Sequence, residues 1–445
     1  MDDFLGTESV TAHAMTMPAP SARSVALDLV GTVLRRKRPL DDAIEESGEM
    51  GALTPRDRAF ARLLVAMLLR RLGQVDALIA HCLATPLPAR AAVVHDILRL
   101  GVVQLLFLRT PPHAAVATSV DLAEVRGFLA HKGLVNAVLR RLSVEGNALV
   151  TGQDAALLNT PAWLWRAWCD HYGEAATRAV ALSHLQEAPL DLTVRDDVEA
   201  WQQALNATLL PTGSLRRSAG GPIAGLPGYS EGAWWVQDAA AAIPARLLGV
   251  TPGARALDLC AAPGGKTAQL AAAGARVTAL DRSSRRIERL RANLVRLAFD
   301  VECLAVDAIQ WRPPEPVRFV LLDPPCTATG AIRRHPDVPH LKTQEDVTRL
   351  AAVQERLLAG AFDMLAPGGT LVYCTCSLEP QEGPDQVAKL LARGLPVERR
   401  PVAAEEIGGL EEFLTPEGDL RTLPSHLAEF GGVDGFYAAR LVRTG

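Results

Sequence analysis

The sequence predicts an α/β protein: a doubly wound parallel sheet preceded by an all-α bundle and a small α+β module. Three observations predict it. From residue 237 onward, short apolar strand-like runs alternate with helical segments, the pattern of parallel strands joined by crossovers. From Ser21 to about Leu142, apolar residues recur at helical spacing with no convincing strand between them. Directly after one strand-like run stands the small-residue turn Ala261-Ala262-Pro263-Gly264-Gly265-Lys266, at the edge where open α/β sheets bind ligands.

In chain order, residues 1–20 show no periodicity and are expected to be a flexible tail. Asp2 and Asp3 stand where a secretory signal would be basic. The bundle is expected over 21–145. Ser21 can cap a helix with the stripe Val25, Leu29, Val30, Val33 and Leu34, ended by Arg35-Arg36-Lys37-Arg38 before Pro39. A second helix is expected from Pro55 through Phe60, Leu63, Leu64, Met67 and Leu68, stopping at Gly73. Further helices are expected near 75–83, 89–108, 113–127 and 131–142. The α+β module is placed over 155–235, with a helix carrying Trp163, Trp165 and Trp168, a strand over 190–194, a helix over 197–206 and loops over 213–232. Its tryptophans read as core rather than as platforms for bases. The sheet domain, 236–445, is expected to hold strands at 255–260, 276–281, 301–306, 318–323, 369–376 and about 436–442, the last after an acidic irregular region.

The 445 residues suffice for two or three domains, and 49% hydrophobic with 22% charged residues is an ordinary globular composition. The longest apolar stretch, 101–108, is far too short to span a bilayer. Seven cysteines without framework spacing suit a reducing compartment. These features predict a cytoplasmic protein without a membrane partner. The net charge of −4 hides an asymmetry: residues 21–143 carry 17 Lys and Arg against 11 Asp and Glu, and residues 379–435 carry 5 against 12. A basic N-terminal third is a local footprint for phosphates, unless its arginines lie on solvated helix faces.

Asp258-Leu259-Cys260-Ala261-Ala262-Pro263-Gly264-Gly265-Lys266-Thr267 is not a Walker loop, because Cys260 stands where the first glycine is required. Small residues there let a ligand approach the backbone, and the following helix offers N–H donors to a carboxylate. Asp281 ends the next strand and is placed to accept from ribose hydroxyls; Asp307 repeats the geometry after the third. An acidic rim around a cationic nucleoside suits S-adenosylmethionine better than a polyphosphate. The expected cofactor contacts are therefore Cys260, Ala261, Ala262, Pro263, Gly264, Gly265, Lys266, Asp281, Asp307 and Asp323.

Two cysteines carry the chemistry. Cys326 lies in Asp323-Pro324-Pro325-Cys326 and Cys376 in Thr375-Cys376-Ser377, each just after an apolar run. Amino-group methyltransferases place an aromatic residue where Cys326 stands, so a thiol here points to carbon chemistry. Carbon 5 of cytosine becomes nucleophilic once a thiolate adds to carbon 6 and an acid supports N3. A free thiol titrates near pH 8.5, so only a few per cent is thiolate at neutral pH without help. Asp323 is the candidate acid, which requires a raised pKa; either thiol could attack. Cys82, Cys169 and Cys303 read as buried and inert. A zinc site from Cys260, Cys326, Cys374 and Cys376 lacks a C-x-x-C knuckle, and no metal is expected.

With these motifs the chain resembles the bacterial rRNA cytosine-5 methyltransferases of the Sun/Fmu type. Arg333-Arg334-His335-Pro336-Asp337 and the terminal Asp434-Gly435-Phe436-Tyr437-Ala438-Ala439-Arg440-Leu441 fit as well. Pro112-His113-Ala114-Ala115-Val116 and residues 133–141 resemble the NusB fold, an RNA-binding helical domain. The resemblance implies a Rossmann-like S-adenosylmethionine methyltransferase sheet, RNA as partner, 16S rRNA as substrate and a monomer. It implies that Cys376 is the nucleophile and that Cys326 serves product release, whereas the DNA enzymes would assign attack to Cys326. Where the family has D-A-P-C-S-G-T-G, this chain has Asp323-Pro324-Pro325-Cys326-Thr327-Ala328-Thr329-Gly330. Transfer RNA or large-subunit rRNA is the alternative substrate, and a non-catalytic RNA-binding or antitermination factor the alternative class.

Overall fold

The computed structural model describes residues 21–218 and 220–445; the tail expected over 1–20 lies outside the described residues. Its contacts divide it into two units, one formed by the chain up to Leu68 with Leu78–Asn147, the other by Leu69–Ala77 with Ala148–Gly445. Among the described residues, no helix is long and apolar enough to cross a membrane.

The first unit is helical. Ser21 caps the helix Ala22–Leu34 by accepting from the Ser24 N–H, and Val25, Leu29, Val30 and Val33 are buried as the stripe requires. Two short helices that periodicity did not announce, Leu40–Glu46 and Gly48–Ala52, precede Pro55–Arg70. In that helix the buried stripe is Ala61, Leu64, Val65 and Leu68, while Leu63 is 39% exposed. The observed phase follows i, i+3, i+4, i+7; the expected one was rotated by a residue because Ala61 looks neutral in sequence. The helix Ala92–Val102 runs into a π-helical turn, Val103–Phe107, and Lys132–Thr151 extends beyond the expected end at 142. Arginines of the basic run have intramolecular partners: Arg35 pairs with fully buried Asp96, and Arg38 donates to Glu46 at 2.7 Å. Part of the positive charge is thus already compensated within the bundle.

Gly73 does not stop a helix. It lies inside Leu72–Cys82, where an added Cβ would stand 1.7 Å from the Leu158 carbonyl oxygen. Beside it the Gln74 N–H donates to Asn159 Oδ1 at 3.1 Å, and Asn159 Nδ2 returns a bond to Gln74 Oε1 at 2.9 Å.

The second unit carries two sheets. β1 (Leu190–Val194), β2 (Thr208–Leu209), β3 (Leu215–Arg217) and β4 (Trp234–Val236) form an antiparallel sheet in the order β2-β3-β1-β4. Trp168 and Trp234 are buried, while Trp163 and Trp165 are half-buried. The larger sheet comprises β5 (Arg255–Leu259), β6 (Arg276–Asp281), β7 (Glu302–Ala305), β8 (Val317–Leu322), β9 (Leu365–Thr375), β10 (Val397–Arg399), β11 (Leu420–Thr422) and β12 (Phe436–Arg443). Its order is β10-β12-β9-β8-β5-β6-β7, with β11 paired to β12. It is parallel from β7 to β9, but β12 runs antiparallel between β9 and β10. The sheet is therefore mixed, not wholly parallel, and its edge draws on the region expected to be irregular. Along β8 alternate residues enter opposite cores: Phe319 and Leu321 on one face, Val320 and Leu322 on the other. Burial on both faces explains why these strands read as continuous apolar runs.

Gly73→Ala gains helix propensity of about 1 kcal/mol but must displace backbone. We expect net destabilisation of roughly 1–3 kcal/mol from overpacking, read as a lowered denaturant midpoint; an unchanged or raised midpoint contradicts the close approach.

Candidate active site

Parallel strands deliver their carboxyl ends to one edge, and the order around β5 creates a switch point there. After β5 the chain turns through Cys260, at φ +64°, and Gly264, at φ +105°, into the helix Gly265–Ala272. The φ of Gly264 favours glycine there, and a Cβ would also push aside the Leu290 Cδ1 methyl, 2.2 Å away. Thr267 Oγ1 donates to Asp258 Oδ2 at 2.6 Å, and burial pushes the Asp258 carboxyl up to about 7 against that bond.

One pocket gathers several expected cofactor residues. Cys260, Asp281 and Asp307 line it with Leu280, Ile309, Pro325, Val353 and Leu357. Asp281 is buried; its Oδ1 accepts from the Ser283 N–H at 3.0 Å, and Arg286 Nη1 lies 3.0 Å from its Oδ2. Asp307 Oδ1 accepts from the Ile309 N–H at 2.9 Å. Carboxylates beside apolar walls fit a nucleoside with hydroxyls to donate and a flat base to bury. Ala261 and Ala262 instead pack into the core around Ile287 and Leu290. Pro263, Gly264 and Gly265 line a separate cavity with Tyr229, Trp235 and Arg296. Arg286, which no spacing indicated, also donates to the Ala262 carbonyl and so ties Asp281 to the turn.

The thiols meet at the ends of β8 and β9. Leu322 pairs with Tyr373, which sets the two following loops side by side, and Cys326 Sγ lies 3.5 Å from Cys376 Sγ. The hydrogen bond to Cys376, then burial, holds the Cys326 thiol well above the usual cysteine range. Cys374 is fully buried and burial raises it too, so neither its access nor its ionisation suits chemistry. Burial likewise pushes up the Cys260 thiol, with three nearby aspartates adding to it.

Lys266 is not at the glycine turn's ligand side alone. Its Nζ donates to Asp323 Oδ2 at 2.7 Å and sits 4.8 Å from the Phe436 ring centre. Burial alone would push the ammonium down; Asp323 and the neighbouring thiols outweigh it and hold it above the ordinary lysine range. Asp323 is therefore the partner of Lys266 rather than an isolated carboxyl.

The remaining motifs frame these loops. Ala328, where the family has glycine, takes φ +59°, the left-handed region that costs most residues about 1–2 kcal/mol. The Gly330 N–H donates to the Cys376 carbonyl at 2.9 Å, and the Gly435 N–H donates to the Gly330 carbonyl at 2.8 Å. A Cβ on Gly330 would stand 2.0 Å from Gly435 O. Arg334 binds Asp238 at 2.6 Å and Asp434 at 3.0 Å, which anchors the terminal motif. Sequence reasoning missed Glu382, fully buried between the two cysteine loops; it was one carboxylate within an acidic tract and had no spacing to mark it.

A Rossmann-like sheet with a carboxylate-lined pocket that includes Pro325, the residue before Cys326, is the frame of an S-adenosylmethionine-dependent methyltransferase. Comparison with known proteins narrows the class. Residues 245–442 match the family described as 16S rRNA methyltransferase RsmB/F, and residues 20–143 match the NusB family. The ribosomal RNA small subunit methyltransferase B of Pseudomonas putida is 35% identical over 95% of this chain and 98% of its own length. The protein of that name from Vibrio vulnificus is 33% identical over 95% and 99%. The solved structure of PH0851 has a TM-score of 0.73 at 20% identity, covering 96% of this chain and 99% of that one. A methyltransferase homologue from Pyrococcus horikoshii gives 0.53 at 25% identity, over 68% and 99%. The chain belongs to the RsmB/F family of 16S rRNA methyltransferases and carries a NusB-family domain at its N-terminal end.

Glu379, just past Ser377, accepts from Trp168 Nε1 at 2.9 Å, and burial raises its carboxyl from 4.5 to about 7. The folded state thus keeps a proton that the unfolded chain loses. The resulting stability is full below about pH 4.5 and is lost as pH rises through about 7. Glu379→Gln can still accept from Trp168 and cannot ionise. Its melting temperature should match the parent near pH 5 and exceed it near pH 8, within the window of that shift; a constant difference at both pH values rules out this titration.

Proposed function

We propose that this protein transfers a methyl group from S-adenosylmethionine to carbon 5 of a cytosine in 16S rRNA, with Cys376 as nucleophile at carbon 6. The observation that carries this reading is the 3.5 Å separation of the two thiols beside the Lys266–Asp323 pair. The names of the relatives favour small-subunit rRNA over tRNA or large-subunit rRNA.

S-Adenosylmethionine supplies an electrophilic methyl group; Asp281 and Asp307 would hold its ribose side, and Cys260, Leu280, Ile309, Pro325 and Leu357 its base. Cys376 Sγ forms a bond to carbon 6 of the cytosine while N3 is supported by the Lys266–Asp323 pair. This makes carbon 5 the nucleophile. Carbon 5 would then bond the methyl carbon as the methyl–sulfonium bond breaks and S-adenosylhomocysteine leaves. A base would take the carbon 5 proton, the carbon 6–sulfur bond would break, and Cys376 would return as thiolate. Cys326, held protonated by its contact with Cys376 and by burial, is a poor attacking group. It stands beside the sulfur that must leave, a place suited to release. Reaction requires an unstacked base, at a cost of a few kcal/mol that is least for an unpaired nucleotide. The basic helical domain supplies affinity for the RNA backbone, which weakens as salt rises.

Asp281→Ala should weaken S-adenosylmethionine binding while RNA binding stays near that of the parent; calorimetry showing equal cofactor affinity removes Asp281 from the site. The thiols separate on a denaturing gel with labelled RNA. Cys376→Ala should give no methylation and no covalent complex. Cys326→Ala should methylate once and accumulate a complex that disappears when Cys376 is also replaced. A complex in Cys376→Ala alone would overturn the assignment.

A further inference from the structure

Glu382 closes the turn Pro380–Glu382 after β9, and its carboxylate is fully buried. Its two oxygens accept from four donors. The Thr327 N–H donates to Oε1 at 3.0 Å and to Oε2 at 3.2 Å, and Thr327 Oγ1 donates to Oε2. Ser377 Oγ donates to Oε2 at 2.6 Å, and Gln354 Nε2 to Oε1 at 3.0 Å. Thr327 directly follows Cys326, and Ser377 directly follows Cys376. Gln354 Nε2 also donates to the carbonyl of Pro325, just before Cys326, at 3.0 Å. One carboxylate therefore joins both thiol-bearing loops, directly at Thr327 and Ser377 and through Gln354 at Pro325.

We propose that Glu382 is a positioning residue that holds the Cys326 and Cys376 loops at their working separation by acting as an acceptor to both. The inference rests on the covalent reading above for its catalytic meaning, though not for its geometry. A carboxylate accepts at two oxygens and donates at neither, which matches four converging donors. Burial pushes the Glu382 carboxyl up, and the bonds from Ser377, Thr327 and Gln354 pull it back. A glutamine matches it poorly. With its NH2 at the Oε1 place it meets two donors, the Thr327 N–H and Gln354 Nε2; turned the other way it forces the Thr327 and Ser377 hydroxyls from donating to accepting, although Ser377 Oγ already accepts from the Glu379 N–H. Glu382 hydrogen-bonds to neither thiol; its charge adds to the rise of the Cys326 thiol, and its hydrogen bonds act through loop placement. Such a network is costly when half-satisfied, because each abandoned donor is buried.

The test compares Glu382→Gln with the parent, full-length, using phenylarsine oxide, which bonds two adjacent thiols to one arsenic with loss of water. The adduct is located by peptide mass, with neither RNA nor cofactor present. We expect the parent to form a Cys326–Cys376 bridge, and Glu382→Gln to form it at least about tenfold more slowly, with circular dichroism and the thiol count in denaturant unchanged. In the methylation assay kcat should fall by about 100-fold, the effect of misplacing reacting groups by roughly 1 Å, while KM for RNA stays near the parent value. Ser377→Ala, which cuts one arm only, should lie between the two, and it decides the matter if Glu382→Gln fails to fold. Bridging and kcat near the parent values in a folded Glu382→Gln, or in Ser377→Ala where that must decide, overturn the proposal. Because the bridging assay contains no RNA, its outcome is independent of which thiol attacks, so failure of the clamp and failure of the nucleophile assignment are separable.

Discussion

The parallel pairing of β8 with β9 is the constraint on which the site depends. Leu321 pairs with Val372 and Leu322 with Tyr373, and all four side chains are fully buried. A slip of one residue would send each to the opposite face. With both faces packed against core, register is fixed by shape and volume rather than by polarity. That register brings loops of different sequence to one edge, where the thiols lie 3.5 Å apart. The glycine contact between Gly330 and Gly435 extends the same constraint into β12, because neither residue can carry a Cβ without striking the other loop or Leu378.

Around this frame the second unit buries an unusual density of charge. Asp191 binds Arg216 through both oxygens at 2.6 Å, and Arg334 joins Asp238 and Asp434. Lys266 and Asp323 form a further pair that is only half-buried. Buried pairs gain little net stability, since desolvation offsets most of the attraction, but losing one partner is costly. Their value here is positional: the Arg216 and Arg334 clusters fix the antiparallel module and the terminal strand to the cysteine loops. The Lys266–Asp323 pair keeps an ammonium held by a carboxylate at the end of β8, near the thiols.

Much of the fold was legible because it rests on local periodicity. The strands that became β5, β6, β8 and β9 are apolar runs whose burial on both faces is visible in composition alone. Departures arise where a distant contact overrides a local signal. Leu63 looks like core and is exposed, since the helix presents Ala61 and Val65 inward instead. Gly73 looks like a stop and is a point of close approach to Leu158. β10 and β11 are three residues each, and they exist only because β12 offers them an edge.

The site divides in the same way. The sequence by itself determined which reactive groups the site holds: two thiols after two strands, a carboxylate before one of them, and a small-residue turn followed by strand-end aspartates. These are properties of residue type and spacing along one chain. Only the tertiary structure decided that Lys266 pairs with Asp323, that Arg286 reaches Asp281, and that Glu382 joins the cysteine loops. Thr327 and Glu382 are separated by 55 positions, and no periodicity couples residues so far apart. Their contact follows from sheet order and register, which are set by packing of the whole core.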